Sequence, residues 1–97
     1  MTRKVYILMF DIASVGNHVE FHNKLIALPS IINWFHYIKS SYILVSNVSS
    51  ATMISNDIRK ILPNNRFLFV ELNLKNRNGI LPEKAWDWLR KQASFTE

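Results

Sequence analysis

From Val5 to Phe10 the chain is apolar at every position, so a strand here has no water-facing side. Val5, Ile7 and Met9 would point one way; Tyr6, Leu8 and Phe10 would point the other. The strand reads as residues 4–12 and carries Asp11 near its end. The period then changes. Asn17 and Glu20 form a near capping box, and Phe21, Leu25 and Leu28 follow at helical spacing until Pro29. Residues 33–38 and 41–46 read as two strands joined by a Lys39–Ser40 turn. Ser49 or Ser50 caps a second helix whose stripe is Ile54, Ile58, Ile61 and Leu62, and Pro63 stops it. A strand follows over 66–72, then a polar loop to Gly79. Pro82 and Glu83 open a short third helix bearing Ala85, Trp86 and Leu89.

The order β-α-β-β-α-β plus a C-terminal helix predicts a ferredoxin-like α+β fold. Its antiparallel four-stranded sheet has two helices on one face. The expectation is one domain over residues 1–97, with a core of about 4–73 and a C-terminal loop and helix of about 74–93. Two helices cover only one face of such a sheet. The first strand and the fourth, where Leu68, Val70 and Leu72 oppose Phe67, Phe69 and Glu71, leave the other face apolar as well. A second copy of the chain, the third helix with Trp86 and Trp88, or stacked single-stranded RNA would each hide it. The expected interface of a homodimer is Tyr6, Leu8, Phe10, Phe67, Phe69, Trp86 and Trp88. The RNA reading rests on Val5–Phe10, which looks like the shorter signature of RNA-recognition motifs.

Composition narrows the picture. The net charge is +5 and the isoelectric point about 9.8, compatible with a polyanionic partner. No apolar run approaches a membrane span, so no membrane partner is expected. The absence of cysteine excludes disulfide and thiolate chemistry and fits a reducing cytoplasm. Gly16 and Gly79 are the only glycines, which rules out a phosphate-cradling glycine loop or a dinucleotide fingerprint.

Candidate chemistry is sparse. Asp11 is an oxygen donor at a strand end: a ligand for Mg²⁺ or Mn²⁺, shared with a second copy, or the cap of the next turn. His18 and His22 lie four apart on one helix face, without a third ligand in view. His36 is a candidate general acid or base, or a half-buried strand residue. Arg59 and Lys60 near the end of the second helix, with Lys75, Arg77, Arg90 and Lys91 toward the C-terminus, are candidate phosphate contacts, or ordinary solvated charge.

Phe10-Asp11-Ile12, Trp34-Phe35-His36-Tyr37-Ile38 and Gly79-Ile80-Leu81-Pro82-Glu83-Lys84-Ala85-Trp86-Asp87-Trp88-Leu89 together resemble a family of small bacterial proteins labelled SinR-like. More distantly the chain is similar to the small CRISPR-associated adaptation protein that scaffolds spacer integration, and to the VapD toxin ribonucleases. That resemblance implies a ferredoxin-like homodimer associated with nucleic acid. Some members are metal-dependent nucleases whose strand-end Asp maps onto Asp11. It leaves open a non-catalytic interaction dimer in a defence or toxin–antitoxin system.

Overall fold

Asp11 ends the first strand. Its carboxylate accepts the backbone N–H of Ala13 at 3.2 Å, and Ile12–Ser14 becomes a single 3-10 turn rather than more strand. In the computed structural model, which describes residues 3–48, 50–74 and 77–95, β1 therefore spans Lys4–Phe10. Asn17 accepts the N–H of Glu20 and starts α1, His18–Ile26. The hairpin follows as β2, Asn33–Ile38, and β3, Ser41–Ser46. Ser50 caps α2, Ala51–Ile61, by accepting from Met53 N at 3.3 Å. Then come β4, Phe67–Leu72, and α3, Glu83–Phe95, which runs further than the sequence suggests. Lys75 lies outside the described residues.

The sheet order is β2-β3-β1-β4 and every neighbouring pair is antiparallel. This is the ferredoxin-like arrangement expected from the element order. β2 and β4 are its edges. Between Phe35 and Ile38 the register of β2 slips against β3, a bulge that sets both His36 and Tyr37 opposite Tyr42.

α1 and α2 cover the face that carries Tyr6, Leu8 and Phe10. These side chains join Tyr42, Leu44, Phe21, Leu25, Ile54 and Ile58 in the main core, with Phe67 and Phe69 packed against it. Tyr6 stacks on Phe69 at 4.7 Å between ring centroids. This corrects the expected interface: Tyr6, Leu8, Phe10, Phe67 and Phe69 lie under the chain's own helices. The physical reason is bulk. The aromatic set fills the deep space between helices and sheet, whereas the opposite set is aliphatic and shallow. The aromatics of the Val5–Phe10 signature, Tyr6 and Phe10, are thus on the covered face too.

α3 folds over part of the second face within the same chain. Leu89 joins Val5, Val45 and Leu74 in a smaller core, with Trp86 and Trp88 packed beside it. Trp88 meets Phe35 at 5.1 Å. The two tryptophans are accordingly in intramolecular contact. Beyond α3 the second face stays open: Met9 is 47% exposed and Leu68, its partner in the β1–β4 ladder, 56%. Val70 and the half-buried Ile7 extend this strip, and Ile38 continues it across Ser41.

The buried phenols give a measurable consequence. The Tyr6 hydroxyl donates to the Val48 carbonyl at 3.0 Å. Burial pushes the Tyr6 phenol up from the ordinary value of 10.0, with the Glu71 carboxylate adding to the rise, and burial pushes the Tyr42 phenol up as well. A raised folded-state value means the stabilisation is complete below the unfolded value and is lost as pH climbs through the folded one. The urea midpoint is expected to fall above about pH 10, and to fall less steeply in the Tyr6→Phe chain. An equal slope in both chains would show that this phenol does not contribute.

Candidate functional site

The three histidines, separate in sequence, converge on one pocket. α1 supplies His18 and His22 from successive turns. The β2 bulge brings His36 over the ring of Tyr42, with centroids 3.9 Å apart and planes inclined by 17°. His22 Nδ1 lies 2.8 Å from the Tyr42 hydroxyl. The His22 ring meets Trp34 edge-on at 4.8 Å and stands 6.4 Å from His36. The cavity is about 730 Å³, floored by Phe10, Ile12, Val19 and Phe21 and edged by the histidines and Lys39. That volume falls within the range of small-molecule sites, roughly 300–1,000 Å³.

Two of the hydrogen bonds constrain the imidazoles. His36 Nε2 is 3.2 Å from the Lys39 carbonyl. A carbonyl only accepts, so Nε2 carries the proton and a neutral His36 keeps its lone pair on Nδ1. Tyr42 is 2% exposed and its raised phenol stays protonated at neutral pH. Its hydroxyl can therefore donate to His22 Nδ1, which leaves His22 Nε2–H as a donor.

Asp11 belongs to the same end of the sheet but to a different concavity. Phe10 N donates to the Ser40 carbonyl at 3.0 Å, and Asp11 N donates to the Arg66 carbonyl at 3.3 Å. These bonds tie the end of β1 to the β2–β3 turn on one side and to the start of β4 on the other. Asp11 is exposed and lines a shallow depression with Met9, Phe10, Arg66, Phe67 and Leu68. It adjoins the open apolar strip. Asp11 and His36 are thus not brought into one site.

The candidate phosphate contacts are likewise divided. Arg59 and Lys60 are exposed at the end of α2, on the helix-covered side, and Lys60 approaches Asp57 at 3.8 Å. Arg77 donates to the Leu74 carbonyl at 2.7 Å, and Arg90 pairs with Asp87. Arg90 and Lys91 ride on α3, which packs on the opposite face. Among the described residues no single basic face gathers them.

Among the described residues no group of three or more His, Cys, Asp or Glu side chains is placed to hold a metal ion. The depression at Asp11 is lined, among the described residues, by one carboxylate, its own. Among the described residues no helix is long and apolar enough to cross a membrane. Sequence reasoning missed Tyr42 and Lys39 as pocket residues. The available signal was the hairpin itself, since residues flanking a Lys39–Ser40 turn must face one another. The chain matches no family model, no curated protein and no solved structure.

Proposed function

We propose that this chain works as a nucleic-acid-associated homodimer, a divalent-metal-dependent nuclease in which Asp11 from each copy lies beside the two-fold axis. The observation that carries this reading is the strip of exposed Met9, Leu68 and Val70 with the half-buried Ile7, which runs up to Asp11. A two-fold interface must be self-complementary. The strip has no charged residue within it, so burying it desolvates no charge. Its end carries both an acid, Asp11, and a base, Arg66, which a two-fold axis can set against each other. The basic balance of the chain supports a polyanionic substrate.

One carboxylate per chain fits a shared ion only as a pair, and oxygen donors suit hard divalent cations. When bound, such an ion supplies charge neutralisation at a phosphodiester. The chain's own part is to hold Asp11 rigidly, through the backbone bonds to Ser40 and Arg66 on either side of the strand end.

Oligomeric state tests the reading directly. Sedimentation of the full chain at micromolar concentration is expected to show a dimer. Leu68→Glu is expected to shift it to monomer, because symmetry buries the new carboxylate twice at about 2 kcal/mol or more each. The exposed position of Leu68 keeps the variant monomer folded. A wild-type chain that stays monomeric, or a Leu68→Glu chain that stays dimeric, would overturn the proposed interface.

A further inference from the structure

We infer that the pocket between α1 and the β2–β3 hairpin is a binding site for a nucleotide, with the base on the apolar floor and the phosphate at the edge formed by Lys39 and the histidines. The first argument is electrostatic. The chain has seven Asp and Glu residues, yet the pocket's titratable and charged groups are His18 and His22 from α1, His36 and Lys39 from β2 and its turn, and Tyr42 from β3. Every one of them either donates to an anion or is neutral, and among the described residues no carboxylate lines the cavity.

The second argument is the mixture of surfaces. Phe10, Phe21, Ile12 and Val19 provide the apolar bed that a flat heterocycle needs, while Tyr42 stacks on His36 and Trp34 meets the edge of His22 from outside the cavity lining. Neutral His36 offers the Nδ1 lone pair because the Lys39 carbonyl holds its Nε2–H, and His22 offers Nε2–H when Tyr42 donates to its Nδ1. A donor and an acceptor side by side suit a base edge or ribose hydroxyl. Lys39 is exposed and free to reach a phosphate without desolvation. Inorganic phosphate would leave the apolar floor wet, and an apolar ligand would leave the polar groups at the edge unused.

The pocket lies on the helix-covered side, across the sheet from the strip assigned to the second copy. The inference therefore stands apart from the dimer and from Asp11. Its source is either a free mononucleotide or one residue of a strand, which separate arms distinguish.

The test is calorimetric titration of the full chain with uridine and adenosine 5′-monophosphates, the matching nucleosides, inorganic phosphate, and a short oligoribonucleotide. A monophosphate is expected to bind about tenfold or more tightly than its nucleoside and than phosphate alone. Lys39→Ala and His18→Ala, both at exposed positions, are expected to weaken it about fivefold or more while leaving the melting temperature unchanged. His36→Ala should weaken it as well, and Asp11→Asn should not. An oligonucleotide that displaces the monophosphate with higher affinity identifies a strand as the source; weaker displacement identifies the free nucleotide. Equal binding of nucleotide and nucleoside, no binding at millimolar concentration, or affinity unaltered in Lys39→Ala would overturn the assignment. So would Zn²⁺ binding that is lost in His22→Ala and excludes the nucleotide.

Discussion

Leu8→Ala is expected to destabilise the chain by about 3–5 kcal/mol, whereas Met9→Ala, one residue along the same strand, should cost less than about 1 kcal/mol in the isolated monomer. Leu8 is fully buried between its ladder partners Tyr42 and Phe69 and beneath α1 and α2. Truncating it removes the transfer energy of the side chain and leaves a void that fixed aromatic rings cannot fill. Met9 is half exposed on the open face. A chain of this size has a total stability of about 5–15 kcal/mol. Leu8→Ala should therefore lower the thermal midpoint by roughly 12–40 °C, taking about 4–8 °C per kcal/mol. Urea unfolding of both variants at low protein concentration checks the pair. Equal losses would mean that the two faces of β1 are equally buried in one chain. If the second copy covers Met9, Met9→Ala should instead weaken association, visible as a loss that grows with protein concentration.

That contrast also explains what could be read from the sequence. The alternation of β1 showed two apolar sets, Val5/Ile7/Met9 and Tyr6/Leu8/Phe10, but period-2 patterning carries no label for the face beneath the helices. The label came from distant partners. The Tyr6 hydroxyl bonds the Val48 carbonyl in the loop leading to α2, and Tyr42 bonds His22 of α1. Both phenols need partners on the helix side, and neither partner is near in sequence. Ile12 read as strand because it is apolar; the Asp11 side chain, bonding two residues ahead, turned it into the 3-10 segment. The helices were plain from their caps and prolines, and the topology followed from element order.

The pocket was legible only in part. The spacing of His18 and His22 put them on one helix face, and that much holds. Bringing His36 onto Tyr42 depends on the bulge between Phe35 and Ile38, which an unbroken alternation in the segment Trp34–Tyr37 does not announce. α3 was likewise recognisable as amphipathic. Its place on the chain's own sheet depends on Phe35, Val45 and Leu74, which no local pattern ties to Trp88 or Leu89.

Asp11→Asn separates an enzyme from a scaffold, and its expected effect on activity is the largest of any single change. The amide keeps an oxygen that can accept the Ala13 N–H, as the carboxylate now does at 3.2 Å, so the turn at Ile12–Ser14 is preserved. What disappears is the negative charge. Asp11→Ala would lose the cap as well, about 1 kcal/mol, and would confound stability with chemistry. For the shared-ion nuclease, Asn at both positions of the dimer should reduce Mg²⁺- or Mn²⁺-dependent cleavage about a hundredfold or more, with the sedimentation profile and thermal midpoint unchanged. Cleavage of single- and double-stranded RNA and DNA, with chelator controls, is the measurement. A wild-type dimer that cleaves none of these would remove the nuclease and leave a non-catalytic interaction dimer, to which Asp11 contributes its cap. Cleavage that persists in the Asn chain would place the chemistry away from the two-fold axis. Because Asp11 does not line the histidine pocket, nucleotide affinity measured on the same Asn protein should be unaltered, so failure of the nuclease reading and failure of the pocket assignment register in different experiments.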